Sequence, residues 1–281
     1  MRKRLLTAGG YAAFFLASLL ICFYLTFDPT HIVSEKVQSF ARERGMQVSM
    51  DTVRKYRLSG INAEQVEVQL ASLKSPVKID SLKVRLSLIP LLLGRKEFGF
   101  EVRLYGGKAK GKIAQGKKSL AADFDLKSID LARLEPAKEN ALWAQAKLSG
   151  KAEVNSSDTN NPQKWRGQVK ADMGAGKMNP FSYQGFQIPE IKFDGVNLEL
   201  AINAGKADIK TFKINGPDFP FDGRGEIELK TPFSESSMQL EAKIDPSEEY
   251  LSKMPALRAL VPPDKTIKYN GSIGAITGRG I

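Results

Sequence analysis

The sequence predicts a mainly β protein: a single transmembrane helix at the N-terminus, then a large antiparallel sheet, curved or closed as a sandwich, with a few short helices. Three observations predict it. No charged residue occurs from Leu5 to Phe27. Beyond Met46 apolar and polar residues alternate with period two in segment after segment, the pattern of half-buried strands. Glycine- and asparagine-containing turn signals separate those segments.

The first element is the anchor, residues 5–27, with Leu5, Phe14, Leu20 and Phe27 among its apolar positions. As a helix it reaches roughly 34 Å, enough for a ~30 Å hydrocarbon core. Arg2, Lys3 and Arg4 precede it. They predict a cytoplasmic tip (1–4) and place the bulk of the chain on the far side of the membrane. A cleaved signal peptide is a poorer fit, because Ala12, Ala13, Ala17 and Ser18 lie inside the apolar run and not after it. A lipoprotein signal at Cys22 is poorer still: Ile21 fills the position that should be small, and apolar residues follow the cysteine.

Residues 28–45 read as an amphipathic stalk helix. Asp28 can cap it, Pro29 suits its first position, Ile32, Val33, Val37, Phe40 and Ala41 share a face, and Gly45 stops it. Strands follow at Val66–Leu70, Val77–Ile79, Leu82–Leu88, Phe98–Leu104, Val196–Ile202 and Met238–Ile244, roughly a dozen in all. Turns are expected at Gly106-Gly107, Gly116-Lys117, Asn203-Ala204-Gly205, Asn215-Gly216-Pro217, Asp222-Gly223 and Thr231-Pro232. Ile89 to Gly94 forms an apolar corner, and a short helix is expected near Leu131–Gln145. Another is expected with Asp245 as cap and Pro246 in its first position, ending at Pro255. The polar stretch 155–162 divides a first β half (46–154) from a second (163–281).

Composition excludes several classes of chemistry. The 254 residues after Phe27 contain no cysteine, so stability rests on burial and backbone pairing. Net charge is +11, or +8 without Arg2, Lys3 and Arg4. That balance favours lipid headgroups or acidic proteins, and no nucleic-acid module is visible. His31 is the single histidine and lies beside the anchor, which leaves no histidine-based metal site or triad. Asp123 with Asp125, and Glu226 with Glu228, are spaced as the wet face of a strand. No catalytic residue, metal or cofactor is expected.

Gly106 to Lys112 matches the outline of a phosphate loop, but Ile113 stands where Ser or Thr should hold Mg²⁺. Lys108, Lys110 and Lys112 alternate with small or apolar residues, as on a strand, so no nucleotide site is expected. With Lys117 and Lys118 they form either a solvated face or a contact for anionic headgroups or an acidic partner. Phe98, Phe100, Val102, Leu104, Phe193, Phe212, Phe219 and Phe221 are candidates to line an apolar groove. The plainer reading of these eight is closed core. A sheet with too little helix to cover it must meet a second sheet, a lipid or a partner.

The order of parts carries a resemblance. The anchor is followed by Leu58-Ser59-Gly60-Ile61, the stretch Val77 to Val84, the corner Leu88 to Gly94, a strand ending at Tyr105-Gly106-Gly107, and Phe219 to Leu229. This layout resembles the AsmA-like group of inner-membrane-anchored periplasmic proteins, and within it the family of type II secretion system protein N. The resemblance implies a non-enzymatic envelope component whose partners are inner-membrane lipids and other secretion-system components. It carries over no catalytic residue. Larger relatives have a curved β groove for lipid chains, so a lipid-binding module is the alternative it implies.

Overall fold

The computed structural model describes residues 45–273 except 58, 71–74, 136–143, 184–185 and 232, and before them Glu35, Gln38, Ser39 and Arg42. The tip, the anchor and most of the stalk lie outside the described residues. Among the described residues no helix is long and apolar enough to cross a membrane.

Thirteen strands form one antiparallel sheet: β1 (Met46–Tyr56), β2 (Gly60–Leu70), β3 (Val77–Leu86), β4 (Lys96–Leu104), β5 (Gly107–Gln115), β6 (Leu120–Asp130), β8 (Lys147–Ser156), β9 (Trp165–Met173), β14 (Gly195–Asn203), β15 (Lys206–Asn215), β16 (Phe221–Glu228), β17 (Ser237–Ile244) and β18 (Thr266–Ser272). They are ordered in space as in sequence, leaving β1 and β18 as the edges. A three-stranded sheet is made by β7 (Ala144–Gln145), β10 (Gly176–Met178) and β13 (Ile191–Phe193), and a two-stranded one by β11 (Phe181–Tyr183) and β12 (Phe186–Ile188). The helices are short: α1 (Leu88–Leu92), α2 (Glu248–Lys253) and α3 (Pro255–Leu260).

The two ends of the large sheet differ. At one end the strands are joined by short connections, including the β14–β15 turn and the apolar corner of α1. At the other end lie the long connections 131–146, 174–194 and 245–265, which carry the small sheets, α2 and α3. Those connections build the closed core. Phe193 of β13 is 4% exposed and clusters with Ala146 and Val196, against which Met173, Phe212 and Ile214 pack. Tyr250 of α2 is buried, its ring meets Phe219 edge-on at 6.0 Å, and its hydroxyl donates to the Pro189 carbonyl oxygen at 3.4 Å.

Several local expectations are corrected. The Asp222-Gly223 pair lies inside β16 and makes no turn: the Phe221 ring covers Gly223, where an added Cβ would stand 2.8 Å from Phe221 Cε1. Asp245 does not cap α2. Its backbone N–H is held by Pro220 O and its carboxylate by Lys265, so the helix starts two residues later with Ser247 Oγ accepting from Tyr250 N–H at 3.2 Å. Pro255 opens α3 as well as closing α2. Leu131–Arg133 is a single 3-10 turn capped by Asp130, Ala144–Gln145 is a strand, and 136–143 lies outside the described residues. The polar stretch 155–162 takes in the last two residues of β8 and then the loop that leads toward β9.

The turn expected at Asn203-Ala204-Gly205 agrees with the backbone, and the one expected at Gly106-Gly107 falls one residue earlier, with Gly107 opening β5. Tyr105 (φ 49°) with Gly106 (φ 73°), and Ala204 (φ 48°) with Gly205 (φ 82°), form two-residue hairpin loops with two consecutive positive φ angles, the geometry that matches strand twist.

Candidate functional site

Residues directly opposite each other in antiparallel strands share a face. Following those partners from Ile61 gives one continuous row: Val84, Phe100, Gly111, Phe124, Ala152, Val169, Leu200, Ile209, Gly225, Leu240 and, at the edge, Tyr269. A second row runs from Ala63 through Leu82, Val102 and Leu126 to Ala242 and Ile267, and a third from Leu86 through Phe98 and Ile113 to Met238 and Gly271. The hydroxyl of Tyr269 is the only polar side-chain group in all three.

Among the described residues no second layer closes this face between β4 and β9. Phe100, Val102, Ile113, Phe124, Leu126, Val154 and Val169 are all partly exposed, and Phe98 is 36% exposed. In this region the strands contact chiefly their neighbours in the sheet. At the short-turn end the connection that carries α1 also exposes apolar side chains, Ile89 at 75% and Leu93 at 76%. Such a contiguous apolar surface on a folded protein marks an interaction site.

Bulges and glycines let the rows hold their register. Lys210 is the extra residue of a bulge where the β14–β15 pairing shifts, so that Phe212 and Ile209 both stay on the apolar face. Gly111 lies between Phe100 and Phe124, and a Cβ there would be 2.4 Å from Phe100 Cζ. Aromatic rings thus lie over glycines, restoring the burial a glycine lacks.

The candidate lining residues divide into two groups. Phe98, Phe100, Val102 and Leu104 alternate along β4 on the open part of the face. Phe212 and Phe221 lie on the same face near its closed end, with ring centroids 4.9 Å apart. Phe193 is not a lining residue: it is buried in the closed core because the connection carrying β13 folds over β14. Phe219 precedes β16 and packs on Tyr250, so it belongs to the closed end. Phe124 and Leu126 line the open face, and sequence reasoning missed them. The alternation of Leu120, Ala122, Phe124 and Leu126 was the available signal, diluted by its alanine.

No family model, curated protein or solved structure matches this chain.

The opposite face of the sheet is charged. One row there runs Arg54, Asn62, Lys83, Glu101, Lys110, Asp125, Lys151, Lys170, Glu199. Lys108 and Lys110 approach Glu101 at 2.9 and 3.8 Å, Lys170 approaches Glu199 at 2.9 Å, and Lys112 stands opposite Asp123. The Lys108 hydrogen bond, foremost, holds the Glu101 carboxyl below its ordinary range. Lys117 and Lys118 are exposed in the β5–β6 connection. The phosphate-loop-like residues 106–112 are a hairpin turn and a strand, with no helix following. Among the described residues no group of three or more His, Cys, Asp or Glu is placed to hold a metal ion.

Proposed function

We propose that this protein is a membrane-anchored, non-enzymatic periplasmic component of the type II secretion apparatus, and that it works through the open apolar face of its sheet. The observation that carries the reading is the set of three cross-strand rows, apolar from β2 or β3 to β18 and, among the described residues, without a covering layer between β4 and β9. The secretion setting is supported by the layout that resembles type II secretion protein N: a basic tip, an apolar run and a β ectodomain. Deleting the gene should reduce secretion of exoproteins, and the tagged protein should co-purify with other components. Unchanged secretion with no co-purifying component would count against the secretion role.

A second reading, a lipid-binding module of the AsmA-like kind, is favoured by the chemistry of the same rows. The strip is about 53 Å long, taking ~4.8 Å between each of the twelve strands from β2 to β18. It offers almost no hydrogen-bonding side chain, so an occupant must need none. Hydrocarbon meets that condition, whereas an irregular peptide with unpaired backbone groups does not. Native mass spectrometry of the detergent-extracted full chain should detect a retained phospholipid. Its loss in Phe100→Asp/Val102→Asp would support the assignment, and a protein free of lipid throughout would oppose it.

A further inference from the structure

On the charged face, at the short-turn end, lies a pocket of about 310 Å³ whose lining includes five cations and three carboxylates. The carboxylates are unequally available. Glu101 is bonded to Lys108 at 2.9 Å and lies 3.8 Å from Lys110, and Asp125 is 3.5 Å from Lys127; Lys108 and Lys127 stand outside the pocket lining, Lys110 within it. Asp123 is the lining carboxylate that, among the described residues, has no ion pair within 4 Å, and it stands among Arg57, Lys83, Arg85 and Lys112. Among the described residues none of these four cations has an ion pair within 4 Å, although Lys112 and Asp123 are opposite in register.

The cations are also positioned. Arg57 Cζ and Lys83 Nζ stand 5.4 and 5.5 Å from the centroid of the Tyr56 ring, which holds both near it by cation–π attraction. Arg85 lies across Gly99: a Cβ at Gly99 would be 3.0 Å from Arg85 Nε and 3.4 Å from its Cγ. The absence of a side chain at 99 gives the guanidinium stem its bed. These residues come from β1 and its turn, β3, β4 and β5, and strand register alone brings them together.

We propose that Arg57, Lys83, Arg85 and Lys112 form a binding site for a phosphate group, borne by a lipid headgroup or by a soluble molecule. Two guanidinium groups supply planar, paired donors that match phosphate oxygens, and two ammonium groups supply further charge. An excess of cations in a concave site raises the local concentration of anions. The site stands at the far end of β1 from Met46, about 33 Å along the strand, so its ligand is met a sheet length away from where the preceding segment joins.

The test is calorimetric titration of the full chain in a non-ionic detergent at low salt, with inorganic phosphate and with dihexanoyl phosphatidic acid as probes. At least one should bind saturably. Arg85→Gln/Lys112→Gln should weaken that binding about tenfold or more, and added salt should weaken it in the parent. Gly99→Val, which displaces Arg85 while leaving every charge in place, should also weaken it, with thermal unfolding confirming that the sheet is intact. Lys206→Gln, distant and paired with Glu226 at 2.7 Å, should leave it unchanged. Phosphatidic acid binding alone would assign the site to a headgroup, and inorganic phosphate binding, alone or in competition with the lipid, to the phosphate group itself. Absence of binding by either probe, or binding unaffected by both variants, would overturn the proposal.

Discussion

The rings of Phe100 and Phe124 meet at a centroid distance of 5.6 Å and an interplanar angle of 47°, although β5 lies between their strands. They meet because the intervening residue in the row is Gly111, whose missing side chain leaves room for the Phe100 ring. Two aromatic residues from non-adjacent strands thus form one patch on the open face.

Replacing Gly111 by alanine is therefore expected to destabilise the fold by about 1–3 kcal/mol, since a Cβ would stand 2.4 Å from Phe100 Cζ and 2.5 Å from the Asp123 carbonyl oxygen. Gly174→Ala, with no atom within 4 Å of its Cβ, should change stability by less than about 0.5 kcal/mol. Urea unfolding of the two variants measures the contrast, and equal midpoints would contradict it.

Phe212→Ala and Phe98→Ala should separate the closed and open ends of the apolar face. Phe212 packs on Phe221 and against the Ala146–Phe193–Val196 cluster, so truncation leaves a cavity and costs about 3 kcal/mol. Phe98 is 36% exposed, and its truncation should cost under about 1 kcal/mol while weakening binding of an apolar probe dye. The same denaturation series, read beside dye fluorescence, tests both statements.

Ser247→Ala should destabilise α2 by about 1 kcal/mol, because it leaves the Tyr250 N–H without its side-chain acceptor. Asp245→Ala should do less, as its partner Lys265 and its own carboxylate are both largely exposed. If the aspartate variant proved the weaker protein, the observed start of α2 would be wrong.

Tyr250 carries an alkaline dependence. Burial, with Asp218 nearby, pushes its phenol up to about 12. A folded-state value above the unfolded one near ~10 favours the protonated phenol in the fold. Its contribution is complete below pH ~10 and is lost as pH rises toward about 12. Tyr250→Phe should be less sensitive than the parent across that window in thermal unfolding scans, and parallel pH curves would refute the assignment.

Much of the sheet was legible because period two is a local property. Phe98, Phe100, Val102 and Leu104 had to share a face once β4 formed. The same locality caused the errors. Asp-Gly has the composition of a turn wherever it occurs, and only the ring of Phe221 explains Gly223 inside a strand. Asp245 and Ser247 are both competent caps, and the choice fell to Ser247 through contacts of Asp245 with Pro220 and Lys265.

By itself the sequence determined an antiparallel β protein with one apolar and one polar side to each strand, because side-chain alternation and turn chemistry act over a few residues. It could not decide which apolar residues are sealed. Phe193 and Phe100 look alike in the sequence, yet one is covered by a folded connection and the other lies on an open row. Nor could it gather Arg57, Arg85 and Lys112 around one pocket. Cover and juxtaposition depend on the register of strands distant in the chain, and only the tertiary structure fixes that register.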